Sequence, residues 1–375
     1  MQLDPSKYEV IVDSPGRINI IGEHTDYNNG FVLPTAIDKK IRFGFNKNGT
    51  SSSCTILSKD FNKSFDVDLD NIAQSDIQWE NYILGVLFEI KQVSDKLAGF
   101  DCVLESTIPI GSGISSSAAL ECGLAFGLNE LFQLGLSKQT IVELSQRAEH
   151  NYVGTKCGIM DQFASVMSKE DHLILLDCQS LDYQYVPVKI QPYKIVLLNT
   201  NVSHNLASGE YNTRRSQCEE GVAIIGKKLK DIHSLRDVTF DILEEFKSKL
   251  PTTIYQRCKY VVDEKERVLK AVEVLRNNQL DVLGQLMYQT HEGLQHLYEV
   301  SCPEIDFLVD FSKNYSEVIG ARMMGGGFGG CTINLIHENA VDTFVREVSK
   351  AYFNTFNIKL TSFEANPSGG TSIVQ

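Results

Sequence analysis

The sequence predicts an α+β protein of two domains, and three observations support this prediction. The chain has 375 residues, whereas a single domain usually has about 100–200. Its β-prone and helical segments do not alternate strictly, which favours an α+β fold over a doubly wound sheet. The chain then passes through Pro187 and Pro192 into an apolar run at 195–198. We place the domain change there and expect domains at residues 1–190 and 191–375.

The composition is that of a globular protein with a hydrophobic core. Hydrophobic residues make up 42% of the chain and charged residues 22%, which are ordinary values. The net charge of −13 predicts that no nucleic acid is bound, because a nucleic-acid backbone requires clustered Lys and Arg. A nucleotide remains a possible ligand, since one phosphate site needs local backbone donors and a metal ion.

The N-terminus and the cysteines indicate a cytoplasmic protein. Residues 1–7 contain no basic segment followed by an apolar stretch, so no signal peptide is expected. No run approaches the roughly 18 apolar residues of a membrane-spanning helix. The nine cysteines lie between Cys54 and Cys331 without CxxC pairs. This scatter predicts reduced thiols and no disulfide framework.

Turn signals and hydrophobic periodicity predict the main elements. Strands are expected at 8–12, 17–21, 37–45 and 100–106, with turns at Ser-Pro-Gly and Asn-Asn-Gly. Helices are expected at 80–98 and from Ser115 to about Leu134. The second is apolar on nearly all sides and should be buried. Ser137 is predicted to cap a helix that runs to about Asn151. Residues 211–300 should be mostly helical, and 332–336 a strand.

A Gly/Ser-rich segment at 109–119 is a candidate phosphate-binding loop. It precedes the predicted buried helix. Glycines let backbone N–H groups approach an anion, and the helix adds its free N–H groups and positive dipole end. The same pattern also fits an ordinary loop with serine caps. The candidate residues are Gly111, Ser112, Gly113, Ile114, Ser115, Ser116 and Ser117.

A second candidate site is the polar turn that follows the predicted strand at 17–21. Gly22 frees the chain to turn, and Glu23, His24 and Asp26 then place three hydrogen-bonding groups on one short loop. Carboxylates can each accept several hydroxyl donors, which suits a polyol such as a sugar. A solvated acidic turn would have the same sequence.

A third segment contains Glu149 and Asp161, twelve residues apart in the sequence. They could serve as a metal ligand and a proton acceptor. They could equally be unrelated charges, and the residues alone favour that simpler interpretation.

Three weaker matches do not support a site. The segment 221–227 fits the start of a Walker A loop, but Lys228 stands where Ser or Thr should reach Mg²⁺. The GxGxxG at 325–330 precedes a β-prone run, whereas a dinucleotide-binding turn should open a helix. His291-Glu292 is followed by His296, which misses the zinc spacing HExxH by one residue.

Taken together, these segments resemble the galactokinases of the GHMP kinase superfamily. Residues 16–34, with Gly-Glu-His-Thr-Asp-Tyr, are similar to the galactokinase motif. Residues 109–119 resemble the ATP phosphate loop, and 323–332 the third, glycine-rich motif. Segments 158–163 and 210–215 also match. The motifs keep the family's order over most of the chain. Ile114 stands where Leu is usual, and Met324 where Thr is common.

The resemblance implies an ATP-dependent sugar 1-kinase with galactose as its substrate and Mg²⁺ as its metal ion. Residues 111–117 would hold the ATP phosphates, and Ser117 with Glu149 would coordinate Mg²⁺. Asp161 would accept the proton of the sugar's 1-hydroxyl, and Arg17 would stabilise the transferring phosphoryl group. The sugar contacts would be Glu23, His24, Thr25, Asp26 and Tyr211. A ribosomal-S5-like N-terminal domain and a ferredoxin-like C-terminal domain are implied.

Two alternatives remain open at this point. The chain could phosphorylate another sugar, such as N-acetylgalactosamine, arabinose or galacturonate, although Thr25 fits the galactose type better. It could also be an idle sensor of sugar and ATP. The presence of 115–119 and Asp161 favours activity. We expect a monomer or a weak homo-oligomer.

Overall fold

The computed structural model describes residues 3–109, 111–203 and 207–374. Ile110, which belongs to the candidate phosphate loop, lies outside the described residues. The described elements mix helices with antiparallel and parallel strands in two regions of the chain. This confirms the predicted α+β architecture.

The strands of the described chain are β1 Val10–Asn19, β2 Phe31–Val32, β3 Pro34–Lys47, β4 Ser53–Ser58, β5 Lys63–Asp68, β6 Phe100–Ser106, β7 His172–Asp177, β8 Tyr183–Pro187, β9 Tyr193–Ser203, β10 Val318–Met323, β11 Gly329–His337, β12 Thr361–Glu364 and β13 Ser372–Ile373. These strands form a six-stranded sheet of order β13-β1-β3-β6-β4-β5, a four-stranded sheet of order β10-β11-β9-β12 and a three-stranded sheet of order β2-β7-β8.

Of the helices in the described chain, four precede β9 and the others follow it. The bounds are α1 Gln78–Val93, α2 Ser116–Phe132, α3 Lys138–Ala148, α4 Met160–Met167, α5 Ala207–Gly226, α6 Phe240–Phe246, α7 Thr252–Arg276, α8 Leu280–Gly293, α9 Pro303–Lys313 and α10 Val341–Phe356. Wider helical turns extend α3 over Glu149–Val153 and α8 over Leu294–Tyr298. The Ser137 side chain accepts the Thr140 N–H, which confirms the predicted cap of α3.

The first two predicted strands are one strand, β1, with a bulge between Pro15 and Arg17. The Ser-Pro-Gly segment was predicted as a break, but the bulge absorbs it, since proline lacks the N–H that a regular ladder needs. The backbone N–H of Arg17 turns instead to the Ile114 carbonyl, 3.0 Å away. At Gly16 a Cβ would lie 2.6 Å from that oxygen. The bulge therefore brings β1 against the candidate phosphate loop.

Helix α2 is buried on nearly all sides, as its sequence predicts. It packs against β1, β3 and the helices α1, α3 and α4. Its buried residues include Glu121, whose side chain has no exposed surface. A buried glutamate in an otherwise apolar helix requires polar partners, and these partners belong to the site described below.

The end of the chain returns to the first sheet. Strand β13 pairs with β1 through Val12 and Ile373, and Pro367 bridges to Ile37. The largest hydrophobic cluster is also continuous between the regions, since it joins Phe43 and Val12 to Met287 and Ile333. The boundary at 190/191 stays a prediction, and the returning segment lies with the first sheet.

The cysteines of the described chain are unpaired and mostly buried. All nine cysteines are free thiols, and all except the half-buried Cys157 are buried. Within the described chain, no helix is both long enough and apolar enough to cross a membrane.

Candidate active site

Two cavities of the described chain share part of their walls. The larger has a volume of about 650 Å³ and is lined by the 111–117 loop and by aromatic side chains. The smaller, of about 120 Å³, is lined mainly by polar residues: Glu23, His24, Asp26, Glu149 and Tyr211 among others. Arg17, Asp161 and Gly326 line both cavities. The shared wall is therefore formed by an arginine and a carboxylate.

The 111–117 loop leads directly into the N-terminus of α2. Gly111 and Gly113 have φ values of 71° and 70°, and Ser115 has 57°. Such angles favour glycine, so a serine there is held by its surroundings. The Ser115 hydroxyl does not cap the helix but donates to Asp161. In the described part of the chain no N-cap side chain bonds to the first N–H groups of α2, and Ser116 and Ser117 line the larger cavity. This arrangement can bind anions.

Arg17 and Asp161 form a two-point ion pair at the shared wall. Arg17 Nε lies 2.7 Å from Asp161 Oδ1, and Nη2 lies 2.9 Å from Oδ2. Nη1 donates to the Gly113 carbonyl at 2.8 Å. Burial opposes the guanidinium charge, but Asp161 and Glu23 outweigh it and raise the pKa of Arg17. Strand β1, the loop and α4 therefore converge on one charged pair.

The turn at 22–29, which carries most of the predicted sugar contacts, is stabilised by a residue that lies far away in the sequence. The fully buried Glu264 of α7 accepts the Gly22 N–H at 2.7 Å. Gly22 and His24 have φ values of 105° and 61°. The tight turn therefore depends on long-range contacts as well as on its own sequence.

Glu23 is fixed by Arg322, a fully buried residue of β10. Arg322 Nη1 lies 2.9 Å from Glu23 Oε1, and the Gly325 N–H donates to the same oxygen at 3.0 Å. The guanidinium also donates to the carbonyls of Asn19, Ile20 and Met323. A planar guanidinium with five donors can hold several carbonyls at once. Arg322 thus joins β10 to the end of β1.

The ring of His24 lies among aromatic side chains. Its centroid is 5.3 Å from that of Tyr211 and 4.9 Å from that of Tyr298. Burial, with the charge of Arg214, lowers the pKa of His24 to about 3. The ring is therefore neutral at physiological pH.

Asp26 is a buried carboxyl in the smaller cavity. Burial and then the charge of Asp161 raise the pKa of Asp26 to about 7, against the opposing backbone N–H groups of Tyr27 and Met160. A Cβ on Gly158 would lie 1.9 Å from Asp26 Oδ2, so only glycine permits this close packing. Asp26 is ready to accept hydrogen bonds that compensate its burial.

The raised pKa of Asp26 predicts that the free energy of unfolding depends on pH. Between pH 3.8, the ordinary pKa, and about 7, the folded protein holds a proton on Asp26 that the unfolded chain has released. The contribution of Asp26 to stability therefore falls as the pH rises through this window. We expect Asp26→Asn to be more stable than the wild type at about pH 8, by up to a few kcal/mol, and the difference to shrink towards pH 4.

Urea unfolding across this pH range measures the difference. The exposed Asp38 supplies the control, because Asp38→Asn should change stability little at any pH. A constant difference between Asp26→Asn and the wild type would contradict the assigned pKa.

Tyr211 and Thr25, two of the residues predicted to contact the sugar, lie differently with respect to the smaller cavity. Tyr211 lines the smaller cavity, whereas Thr25 is fully buried and is not among the lining residues. The Thr25 hydroxyl is directed to the Gly22 carbonyl at 2.8 Å and the Phe31 carbonyl at 2.6 Å. The expectation that Thr25 contacts the sugar is therefore corrected. Its side chain holds the turn because the backbone carbonyls use its hydroxyl.

Glu149 belongs to a cluster of buried carboxyls. Gln162 Nε2 lies 3.0 Å from Glu149 Oε2 and 3.2 Å from Glu121 Oε2. Burial, and then the charge of Asp161, raise the pKa of Glu149 to about 7. Burial and the nearby Glu149 raise that of Glu121 as well. Within the described chain Glu121 Oε1 has no partner of good hydrogen-bond geometry. Burial and the neighbouring carboxyls therefore favour the protonated, neutral forms of Glu121 and Glu149.

Sequence reasoning missed several residues of this site. Trp79, Phe61 and Tyr82 line the larger cavity, with the rings of Phe61 and Trp79 5.8 Å apart. Their positions depend on long-range packing, and no local pattern marked them. Glu121 could have been found, since it lies four residues after Ser117 on one face of an apolar helix.

Comparisons with known proteins agree with this arrangement. Three family models match: the galactokinase galactose-binding signature over residues 4–47, the GHMP kinase N-terminal domain over 81–169 and the GHMP kinase C-terminal domain over 271–354. A mevalonate kinase from Methanococcus jannaschii, 18% identical, shares the fold with a TM-score of 0.63 over 96% of this chain and 98% of its own. Fold and site together define a GHMP kinase.

Relatives with higher sequence identity assign the chain to one family among the GHMP kinases. The galactokinase of Thermosipho africanus is 43% identical over 97% of this chain and 99% of its own. The galactokinase of Clostridium beijerinckii is 39% identical over 97% and 94%. The structure of Lactococcus lactis galactokinase complexed with galactose is 33% identical, with a TM-score of 0.92 over 97% of this chain and 94% of that one. The chain belongs to the galactokinase family.

Proposed function

We propose that this chain transfers the γ-phosphoryl group of ATP to the 1-hydroxyl of galactose and releases galactose 1-phosphate and ADP. One observation carries the proposal. A larger cavity suited to a nucleotide and a smaller polar cavity suited to a sugar meet at Arg17 and Asp161. Phosphoryl transfer requires donor and acceptor to meet in line at such a point, with positive charge beside the transferring group.

The larger cavity holds ATP in this proposal. Residues 111–117 and the first N–H groups of α2 bind the phosphates. Aromatic side chains in its lining, among them Trp79 and Phe61, provide a flat apolar surface for the adenine base. The phosphates then extend towards Arg17.

The smaller cavity holds the sugar. Glu23 and Asp26 accept hydrogen bonds from sugar hydroxyls, and His24 and Tyr211 complete the lining. A site built to bond a hydroxyl rejects analogues in which that hydroxyl is displaced, because a buried carboxylate oxygen is then left without a partner. This reasoning favours galactose over its 4-epimer glucose.

Arg17 and Asp161 act at the reacting atoms. Asp161 accepts a hydrogen bond from the 1-hydroxyl and takes its proton as the new O–P bond forms. Arg17 lies between Asp161 and the Gly113 carbonyl of the phosphate loop, so that its guanidinium faces the negative charge that spreads over the phosphoryl oxygens. The Ser115 hydroxyl holds Asp161 in place.

Two buried glutamates offer oxygen atoms near the proposed phosphate site, since Glu121 and Glu149 both accept hydrogen bonds from Gln162. The described residues contain no group of three or more carboxyl, imidazole or thiol side chains that could hold a metal ion, so the proposed Mg²⁺ ion would need other oxygen ligands as well. Mg²⁺ prefers a few hard oxygen ligands and retains water molecules. Ser117 and Glu149 would hold the ion, which neutralises phosphate charge when bound.

Replacing Glu149 tests this assignment. Glu149→Gln keeps a carbonyl oxygen and loses the negative charge. We expect the KM for Mg-ATP to rise about tenfold, roughly 1.4 kcal/mol, and more at limiting Mg²⁺, while the KM for galactose changes little. Steady-state kinetics at limiting and saturating Mg²⁺ measure both constants.

Glu143→Gln is the matched control, since Glu143 lies on the surface of the same helix and accepts from Gln139 at 2.9 Å. Its kinetics should equal those of the wild type. An increase confined to the KM for galactose would instead assign Glu149 to the sugar cavity.

The proposed function is tested by ADP release with a panel of sugars: galactose, glucose, N-acetylgalactosamine, arabinose and galacturonate. Galactose should give the highest kcat/KM, and ³¹P NMR should show a phosphate on the anomeric carbon. A higher kcat/KM for another sugar would identify that sugar, and not galactose, as the substrate. Binding of galactose and ATP without ADP release would identify a sensor. We further propose that the protein is cytoplasmic, a monomer or weak homo-oligomer, with domains divided near residue 190.

A further inference from the structure

The neutral ring of His24, which lines the smaller cavity, has one nitrogen bonded to a side chain and one nitrogen without a side-chain partner among the described residues. Nδ1 lies 2.7 Å from the Tyr27 hydroxyl. Nε2 is buried and has no partner of good hydrogen-bond geometry among the described residues, although the Gly326 backbone lies close enough to oppose the effect of burial on the pKa of His24. Both residues line the smaller cavity. Which nitrogen carries the proton decides whether His24 offers a sugar a donor or an acceptor.

Tyr27 is the first member of a buried chain of hydrogen bonds. Its hydroxyl lies 2.8 Å from that of Tyr298, and the Tyr298 hydroxyl lies 3.2 Å from Cys218 Sγ. Tyr298 and Cys218 have no exposed surface. Each hydroxyl can donate only one hydrogen bond. The hydroxyls of Tyr27 and Tyr298 therefore both donate in the direction of His24 or both donate in the direction of Cys218.

The surroundings favour protons that point towards His24. An imidazole nitrogen accepts a hydrogen bond strongly, whereas sulfur is a weak acceptor. Burial raises the pKa of Cys218 to about 11, so the thiol keeps its own proton and can donate it. At the other end, the cavity contains the carboxyls of Glu23, Asp26 and Asp161. An N–H group is electrostatically favoured there over a bare lone pair.

We propose that the chain from Cys218 through Tyr298 and Tyr27 keeps His24 in the tautomer with its proton on Nε2, so that His24 donates a hydrogen bond to a sugar hydroxyl oxygen. Tyr27 and Tyr298 are positioning residues, since they act through His24. The proposal rests on the proposed function for the identity of the ligand, and the tautomer itself does not depend on it.

The arrangement gives the cavity both kinds of hydrogen-bonding group. A sugar hydroxyl donates one hydrogen bond and can also accept. Carboxylates satisfy the donor, and a neutral N–H satisfies an oxygen lone pair without adding charge. A ring with a bare Nε2 would leave that lone pair facing sugar oxygens and carboxylates.

The tautomer is measured by ¹⁵N NMR of histidine-labelled wild-type protein without sugar. His24→Gln identifies the His24 signals among the eight histidines. We expect Nε2–H signals with a bare Nδ1 in the wild type, and loss of this single pattern in Tyr27→Phe. An Nδ1–H pattern in the wild type, or an unchanged pattern in Tyr27→Phe, would overturn the proposal.

Kinetics supply a second readout. Tyr27→Phe should raise the KM for galactose about five- to tenfold, the loss expected for one neutral hydrogen bond, with kcat and the KM for ATP within about twofold. Tyr298→Phe should have a smaller effect in the same direction. Tyr288→Phe is the matched control, because the Tyr288 hydroxyl is buried without a partner in the described chain, and it should behave as the wild type.

The outcomes separate the two proposals. If the wild type releases no ADP with galactose, the proposed function fails while the NMR result still reports the tautomer. If galactose is phosphorylated but the KM of Tyr27→Phe equals that of the wild type, the proposed function stands and the role of the hydrogen-bond chain is wrong.

Discussion

Asp161→Asn should lower kcat about 10²–10⁴-fold, roughly 3–5 kcal/mol of barrier. Asn has nearly the shape of Asp and no charge to receive the proton of the 1-hydroxyl. Asn keeps one oxygen for Arg17 Nε, now 2.7 Å from Asp161 Oδ1, but places an NH₂ donor in place of an acceptor opposite Nη2, so the direction of the guanidinium is less well defined. Single-turnover kinetics with saturating galactose and Mg-ATP measure the loss at the chemical step.

Asp13→Asn is a matched control for this variant. Asp13 is also a buried carboxylate of a two-point arginine pair, with Arg42 Nε at 2.6 Å and Nη2 at 2.8 Å, and it lines neither cavity. Its kcat should stay within about twofold of the wild type, even where its stability falls. An Asp161→Asn enzyme that keeps more than about a tenth of wild-type kcat is incompatible with a proton-accepting role.

Arg322→Met should destabilise the protein by about 3–5 kcal/mol. The substitution leaves Glu23 buried without its ion-pair partner and removes donors from the carbonyls of Asn19 and Ile20. Because these groups join β10 to the end of β1, the KM for galactose should rise as well. Urea unfolding gives the free energy, and the kinetics at low temperature give the KM.

Arg346→Met is the control, since Arg346 is exposed on α10 of the same half. Its free energy of unfolding should lie within about 0.5 kcal/mol of the wild type. An Arg322→Met protein as stable as this control would show that the buried guanidinium does not stabilise the contact between β10 and β1.

The sequence was most informative where structure is set locally. The loop at 111–117, the cap at Ser137 and the turn after Gly22 follow from residue types a few positions apart, so their positions could be predicted. The polar side chains Glu23, His24 and Asp26 were grouped correctly on one cavity for the same reason, while Thr25, their neighbour, was assigned by analogy and faces backbone carbonyls instead.

Groups that depend on distant partners were not predictable in this way. Arg322 lies in a short β-prone run, and nothing near it in sequence indicates that it binds Glu23 from 299 positions away. Trp79 and Glu264 likewise acquire their roles through packing between segments far apart in the chain. The bulge at Pro15 was predicted as a break because its compensating partner, the Ile114 carbonyl, is also remote.

The return of β13 to β1 has a consequence for synthesis on the ribosome. Val12 pairs with Ile373, so β1 lacks this edge partner until residue 373 has been translated. At about 5–20 residues per second, this interval lasts tens of seconds. An unpaired edge strand can associate with other chains. The nascent first sheet therefore passes through a period of exposure to aggregation, during which residues 372–373 are not yet available to pair with β1.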